Sequence, residues 1–341
     1  MIVTNTDLKQ AVGNWPKAPY RVRLAQVGEL EQPLAPTVLR AVVYGTAPSY
    51  VQPDVRRVYV PLRSVHQNYA GEIWESTLPV RYGRDGLIEF AENGEVMFLQ
   101  ASLPESDLKD TAGAAERLYK ALWRYSALRH YGNFLRVWNY LPGINVGDGD
   151  AERYRNFCVG RHRALSADPS FERKLPAATA IGTNAGRFVV MAIASIRPGQ
   201  QVENPLQVSA FRYPRAYGAR SPSFARAQML PWADGTQLLV SGTASIVGHA
   251  STHLGDASAQ LHQSLANVNA LVRQPGLARR GFLPQSYTLY LRDPEDYTSL
   301  YPQLMKYFNG TPLQVLVGDI CRRELLLEVE AIYQLPQFLN K

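Results

Sequence analysis

The C-terminal part of the 341-residue sequence contains acidic residues in an otherwise apolar strand-like segment, CRRELLLEVEAIYQL at 321–335. Side chains alternate between the two faces of a strand, so Glu324, Glu328 and Glu330 are predicted to share one face. A carboxyl group that is buried among apolar neighbours has a raised pKa and can give and retake a proton near pH 7. Glu328 is therefore a candidate general acid, and an edge strand with one solvated face is the alternative interpretation.

A second segment, NPLQVSAFRYPRAYGARSPSFARA at 204–227, is rich in arginine and tyrosine and is interrupted by proline and glycine. Guanidinium groups bind carboxylates through two parallel hydrogen bonds, and loops on a rigid scaffold commonly carry binding groups. Tyr213, Arg215 and Arg226 are therefore candidates for holding an acidic, hydroxylated ligand. An ordinary polar surface loop is the competing interpretation.

A third segment, RVWNYLPGINVGDGDAERYRNFCVGRHR at 136–163, combines a predicted strand, a turn-rich loop and a predicted helix. Arg153 and Arg161 lie on the helix and Asn139 lies on the strand. This pattern is compatible with an anion pocket and equally with a solvated helix.

Other kinds of chemistry receive little support. The sequence contains no Walker loop, Rossmann glycine pattern, GxSxG or HExxH motif. His249 and His253 lack a nearby cysteine or a second histidine pair, so they do not indicate a metal site. Cys158 and Cys321 have no metal-type spacing and predict neither a disulfide framework nor a zinc site.

Periodicity predicts the elements that must position these residues. Predicted strands lie at 37–44, 58–62, 72–77, 86–91, 95–99, 134–140, 188–196, 206–213, 238–247, 287–292, 313–317 and 324–333. Predicted helices lie at about 107–131, 151–165, 257–272 and 295–309. The order of strands and helices in the second half has a weaker counterpart in the first half. We therefore predict an α+β protein of two related units packed side by side, over 1–145 and 146–341, with mixed sheets and helices on one face.

Composition excludes several classes of protein. With 46% hydrophobic and 19% charged residues the chain is globular. Its longest apolar stretch, at 188–196, is too short to span a bilayer, and its first residues lack a signal-peptide pattern, so we expect a cytoplasmic protein without membrane partners. Arginine supplies 29 of the 36 basic residues, and these arginines are scattered rather than clustered as in nucleic-acid-binding proteins.

Four separated motifs, taken in order, resemble those of the chorismatases. They are NYLPGIN with ERYRNFCVGR (139–145 and 152–161), QVSAFRYPRAYGARSPSFARA (207–227), SGTASIVGHAS (241–251) and CRRELLLEVEA (321–331). The resemblance covers roughly residues 130–335. It implies two RidA/YjgF-type units in one chain.

The resemblance implies conversion of chorismate to pyruvate and a cyclic carboxylic acid, without metal or redox cofactor. By analogy Glu328 is the acid that protonates the enolpyruvyl methylene group. Members of the family that produce 3-hydroxybenzoate carry a cysteine at the position of Cys321, so this chain resembles a 3-hydroxybenzoate synthase, with 4-hydroxybenzoate as a further product in some relatives. Cys321 and Glu328 are seven residues apart, so a turn or bulge near Arg322 is required if both line one pocket.

The resemblance and the residue types together give a set of expected substrate-binding residues. Gly242 is included because it would permit close backbone approach, although a turn glycine is the alternative. One of Arg322 and Arg323 matches the arginine that precedes the acidic pair. The expected set is Asn139, Arg153, Arg161, Tyr213, Arg215, Arg226, Gly242 and Arg323.

Three alternatives remain open at this point. A chorismate hydrolase would release 3,4-dihydroxycyclohexa-1,5-dienoate. A RidA-like protein would bind a metabolite without turnover or would hydrolyse an imine. Nucleic-acid binding, suggested by the net charge of +7, is the weakest alternative. We expect a monomer, because a chain of two units can complete its own pocket.

Overall fold

The computed structural model describes residues 16–46, 54–65, 69–274, 277 and 281–336. These residues form three sheets, a two-stranded hairpin and five α-helices of five or more residues. Within the described part of the chain, none of the helices combines the length and apolar character needed to cross a membrane.

The first sheet has the strand order β1-β5-β2-β3. Its strands are β1 (Tyr20–Ala25), β2 (Val38–Tyr44), β3 (Arg57–Val60) and β5 (Gly71–Ser76), with the short helix α1 (Val27–Glu31) after β1. The two-residue strand β4 (Arg63–Ser64) pairs with the third sheet instead.

The second sheet has the order β10-β9-β11-β8-β7-β6. Its strands are β6 (Arg81–Asp85), β7 (Ile88–Glu92), β8 (Val96–Pro104), β9 (Asn133–Pro142), β10 (Ala177–Thr183) and β11 (Arg187–Ser195). Helices α2 (Thr111–Leu128) and α3 (Arg153–Leu165) connect β8 to β9 and β9 to β10. Both helices bury apolar side chains on one face of this sheet.

The third sheet has the order β12-β13-β14-β19-β17-β18-β4. Its other strands are β12 (Gln200–Val202), β13 (Ala227–Trp232), β14 (Gly235–Thr243), β17 (Leu283–Leu291), β18 (Leu313–Val317) and β19 (Leu327–Pro336). Helices α4 (Ala257–Val272) and α5 (Asp296–Phe308) pack on one face, and β15 (Ile246–Val247) pairs with β16 (Ala250–Ser251) in a separate hairpin.

The second and third sheets share one topology, which confirms the prediction of two related units with helices on one face. In each, a meander of three strands is followed by helix, strand, helix, a parallel strand and a final strand inserted into the middle of the sheet. The order β1-β5-β2-β3 of the first sheet matches the order β8-β11-β9-β10 within the second. Residue 145, where the sequence analysis divides the chain, lies between β9 and α3, so the elements on both sides of it belong to the unit of the second sheet. The chain passes from the second sheet to the third at residues 196–199.

A central core joins all three sheets on the faces that the helices leave uncovered. It includes Trp74 from the first sheet, Trp138 from the second and Trp232 from the third.

Several predicted boundaries are wrong for local physical reasons. Residues 206–213 do not form a strand but an irregular segment with a 3-10 turn at Ala210–Arg212, because Leu206 N donates to the Asn204 side chain and Arg212 N donates to the Ser209 carbonyl instead of to a neighbouring strand. Helix α2 begins at Thr111 after a 3-10 turn, and the Asp110 side chain accepts a hydrogen bond from Gly113 N at 2.9 Å. The predicted strand 238–247 is divided between β14 and β15.

Candidate active site

A cavity of about 380 Å³ opens at the junction of the second and third sheets. Its floor is formed by β10, β14 and β19, and its rim by α3 and the loop at 213–224. The lining residues that the argument uses are Arg161, Thr179, Tyr213, Arg226, Gly242, Cys321, Arg322, Arg323 and Glu328.

Glu328 lies in the floor of the cavity on β19, which is a central strand between β14 and β17. This excludes the edge strand considered above. The residue is only 5% exposed, and no described residue donates a hydrogen bond to its carboxyl group. Burial and, to a smaller extent, the nearby Glu330 carboxylate raise the pKa of Glu328, Arg136 and Arg226 oppose this rise, and the resulting pKa is about 8. The side chain is therefore a carboxylic acid at neutral pH.

Glu330, two residues further along β19, has a different environment. Arg136 Nη2 lies 2.9 Å from Glu330 Oε2, Trp138 Nε1 donates to the same oxygen at 3.1 Å, and the Tyr290 hydroxyl donates to Oε1 at 3.0 Å. These three donors satisfy the Glu330 carboxylate, so of Glu328 and Glu330 only Glu328 is without a described hydrogen-bond donor. Glu324 is not part of this face: it precedes β19, is exposed, and accepts a hydrogen bond from Ser251 Oγ.

Gly242 on β14 makes room for the Glu328 side chain. A Cβ atom at this position would overlap Glu328 Oε1. The Gly242 amide donates to Thr179 Oγ1 at 2.9 Å, and Arg136 Nη2 donates to the same oxygen at 2.7 Å. The Thr179 hydroxyl thus links the second and third sheets by hydrogen bonds at the place where the acid lies.

We predict that Gly242→Ala lowers kcat/KM for the substrate by about 10²-fold, because the added methyl group displaces the Glu328 carboxyl from its reactive position. Steady-state kinetics with Gly132→Ala as control would measure this, since a Cβ at Gly132 meets open space. Equal activities for the two variants would contradict the assigned function of Gly242.

Arg161 and Arg226 are the two buried cations of the cavity, with exposures of 2% and 4%. Arg226 Nη2 donates to the Tyr213 hydroxyl at 2.7 Å, and the Arg161 guanidinium lies over the Phe157 ring. The Nε atom of each arginine has no acceptor among the described residues, and neither arginine forms an ion pair with a described carboxylate. Uncompensated buried charges are costly, so these two guanidinium groups indicate a site for an anionic ligand.

The cavity mouth contains two further arginines from the turn before β19. Arg322 lies over the Tyr217 ring, with 3.9 Å from its guanidinium carbon to the ring centroid, and donates to Ser251 Oγ. Arg323 pairs with Asp148 at 3.1 Å and is half exposed. The mouth of the cavity therefore carries a positive charge that Asp148 partly neutralises.

Three of the expected site residues lie outside the cavity lining. Asn139 is buried behind it, where Nδ2 donates to the Thr179 carbonyl at 2.9 Å and Oδ1 accepts from the Tyr119 hydroxyl. Arg153 contacts Glu105 and the Pro142 carbonyl. Arg215 forms an exposed pair with Asp150. Their polar groups have partners within the chain, and the cavity lining includes the other expected residues.

Cys321 and Glu328 both line the cavity, and the turn required by their odd spacing is present. Leu325 N donates to the Arg322 carbonyl at 3.1 Å, and regular strand geometry begins only at Leu327. Burial, together with the neighbouring Glu328 carboxyl group, raises the pKa of the Cys321 thiol to about 12. The group is therefore a neutral thiol at pH 7 and not a thiolate nucleophile.

The sequence analysis missed Arg136 and Thr179 as site residues. Arg136 is a charged residue in the apolar strand β9, which is the same kind of signal that identified Glu328. Thr179 carries no such signal, because a threonine in a strand is ordinary. Among the described residues, no group of three or more His, Cys, Asp or Glu side chains could hold a metal ion.

Comparison with known proteins gives consistent results. The model of the FkbO/Hyg5-like chorismatase N-terminal family matches residues 72–194. A "chorismatase" of Streptomyces rapamycinicus is 36% identical over 76% of this chain and 81% of its own length. A "3-hydroxybenzoate synthase" of Streptomyces hygroscopicus is 32% identical over 76% of this chain and 80% of its own length.

A crystal structure of a chorismatase superposes with a TM-score of 0.83 and 30% sequence identity, and covers 93% of this chain and 98% of the solved one. The similarity thus includes both of the large sheets that form the cavity. The extent of these matches places the chain in the chorismatase family.

Proposed function

We propose that the protein converts chorismate to 3-hydroxybenzoate and pyruvate. The observation that carries this proposal is a protonated glutamic acid, Glu328, in a cavity that also holds two buried guanidinium groups without carboxylate partners among the described residues. The names of the similar proteins support the same substrate and product.

Chorismate matches the charge of this cavity. It carries two carboxylates, one on the ring and one on the enolpyruvyl group, and Arg161 and Arg226 supply two buried cations. The cavity volume of about 380 Å³ is in the range of small-molecule sites. The hydroxyl of Tyr213, held by Arg226, can accept a hydrogen bond from the ring hydroxyl.

Glu328 starts the reaction by donating its proton to the terminal methylene carbon of the enol ether. The methylene becomes a methyl group, and the positive charge resides on the oxocarbenium carbon and the ether oxygen. Departure of this oxygen from ring carbon C3, with the bonding electron pair, converts the oxocarbenium group into the ketone of pyruvate and leaves the positive charge on the ring. Burial favours the step because the reactive proton is kept on the carboxyl group and bulk water is excluded.

The ring then loses a proton rather than gaining water. As pyruvate leaves, the oxygen of the C4 hydroxyl forms a bond to C3. The bond between this oxygen and C4 then breaks, and C3 loses its hydrogen as a proton, which makes the ring aromatic. Glu328, now a carboxylate, accepts the proton that the ring releases. The acid is thus regenerated, and chorismate is divided into one pyruvate and one 3-hydroxybenzoate without a co-substrate.

Cys321 is proposed to determine whether the product is 3-hydroxybenzoate or the dihydroxydiene acid. As a neutral thiol in the cavity wall it occupies space next to Glu328. We predict that Cys321→Ala shifts the products toward the dihydroxydiene acid, because a smaller side chain admits water to the oxocarbenium carbon. Chromatography of the ring products would measure the shift, with Cys158→Ala as control, since Cys158 is buried on α3 outside the cavity lining. An unchanged product ratio would show that Cys321 is not the determinant.

The pH profile follows from the raised pKa of Glu328. The acid must be protonated to act, so kcat/KM is expected to be constant at neutral pH and to fall about tenfold per unit above pH 8. Pyruvate release at saturating and limiting chorismate would give the profile, with circular dichroism to verify that the fold persists. A constant rate up to pH 10 would contradict Glu328 as the proton donor.

Incubation of the purified protein with chorismate is the direct test. Pyruvate assayed enzymatically and 3-hydroxybenzoate identified by mass spectrometry would support the proposal. Pyruvate with the dihydroxydiene acid would mean that the protein is a hydrolase, and chorismate recovered unchanged would overturn the assignment.

A further inference from the structure

A second cavity, of about 540 Å³, lies between the first and second sheets. Residues on β3 form one wall, and residues on β7, β8 and β11 form the other. The lining residues that matter here are Arg57, Tyr59, Glu89, Gln100, Arg187 and Val189. The cavity shares no lining residue with the one that holds Glu328.

Strand register shows that the two cavities occupy corresponding places in the repeated topology. In β2, β9 and β17 the pairing with the neighbouring antiparallel strand shifts by one residue, immediately before Arg40, Arg136 and Ser286 respectively. The residue after Arg40 pairs with Arg57 on β3, and the residue after Arg136 pairs with Ala178 on β10. Residues 57–59 on β3 therefore correspond to residues 178–180 on β10. Both triplets line their cavities.

The same register aligns the opposite walls. Arg136 faces Ile193 on β11, and Ser286 faces Ile332 on β19. Val189 lies four residues before Ile193, and Glu328 lies four residues before Ile332. Val189 therefore occupies on β11 the position that Glu328 has on β19. The second cavity therefore occupies the place that corresponds to the cavity of Glu328, and it has a valine where that cavity has the acid.

Polar groups in the second cavity have bonding capacity that the described chain does not use. Arg57 is 8% exposed; its Nη2 donates to the Gln32 carbonyl at 2.7 Å, but Nε has no described acceptor. Gln100 is 9% exposed; its Nε2 donates to Glu89, but Oε1 has no described donor. Buried polar atoms without partners indicate a site that a ligand completes.

The charge and shape of the lining define the class of ligand. Three arginines (Arg57, Arg84 and Arg187) line the cavity together with one acidic residue, Glu89, which pairs with Arg84. Arg187 is exposed at the rim, where it donates to Ser102. Apolar surface comes from Val58, Tyr59, Pro61, Leu87 and Val189. This combination of basic and apolar groups suits a carboxylate with a flat apolar body.

We infer that the cavity between the first and second sheets is a second, non-catalytic binding site for a small aromatic carboxylate. Arg57 and Arg187 hold the carboxylate, and Tyr59 and Val189 contact the ring. The site does not depend on the activity proposed for the other cavity.

Calorimetric titration of the full-length protein with benzoate tests this inference. We expect a binding event in the wild type that Arg187→Glu weakens by about tenfold or more, because the substitution reverses a charge at the carboxylate position. Arg124→Glu is the matched control, since Arg124 is exposed on α2 outside the cavity. Chorismate turnover is expected to be the same in both variants, which separates this site from the cavity with Glu328.

A photoreactive probe, 4-azidobenzoate, gives the location independently of any variant. Labelled peptides from 57–61, 84–89 or 187–189 would support the second site. Benzoate binding that is equal in Arg187→Glu and Arg124→Glu, or labelling confined to peptides with Arg226 or Cys321, would overturn it. So would the absence of any benzoate binding at millimolar concentrations.

Discussion

Glu328→Gln is expected to lower kcat by about 10³-fold while leaving the Kd for chorismate within about threefold of the wild type. Glutamine preserves the size of the side chain and removes the proton that the enol ether requires. The neighbouring Glu330 cannot take over this role, because its carboxylate is engaged with Arg136, Trp138 and Tyr290. Rapid-quench kinetics and binding of unreacted chorismate by the variant would separate the two quantities.

Glu92→Gln is a suitable control for this substitution. Glu92 is a buried carboxyl on β7, outside the cavity lining, and pairs with Arg81. Its replacement tests whether the removal of any buried carboxyl lowers activity through stability alone. If Glu328→Gln retained more than about a tenth of the wild-type kcat, another group would have to be the acid.

Arg161→Met is expected to lower kcat/KM by about 10²-fold to 10³-fold, because one substrate carboxylate loses its charged partner in a buried site. The same change should leave the melting temperature of the free protein unchanged or higher. Arg161 is a buried cation without a carboxylate partner among the described residues, and an apolar side chain of similar length avoids the cost of its desolvation.

Arg215→Met is the control for the arginine prediction. Arg215 is exposed and paired with Asp150 rather than directed into the cavity, so the substitution should change kcat/KM by less than about threefold. Comparable losses in both variants would mean that long-range charge, and not a contact at Arg161, attracts the substrate. A lower melting temperature for Arg161→Met would indicate a structural role for this arginine.

The sequence alone determined most of the elements and singled out Glu328 as the candidate acid. Helix 257–272 and strand 313–317 were predicted with the bounds that the structure has, because their hydrophobic periodicity is local and uninterrupted. Glu328 was identifiable because a carboxyl group in an apolar strand is rare unless it has a function or a partner. The requirement for a turn between Cys321 and Glu328 also followed from strand geometry.

Only the tertiary structure decided which charges have partners. Arg153, Arg215 and Arg161 look alike in the sequence, yet the first two are neutralised by Glu105 and Asp150, and Arg161 is buried without a carboxylate. The partner of Glu330 is Arg136, which lies 194 positions earlier and on another sheet. Such pairs depend on how sheets pack against one another, and local periodicity carries no information about that packing. For the same reason the second cavity, formed by strands from two different sheets, became visible only in the folded chain.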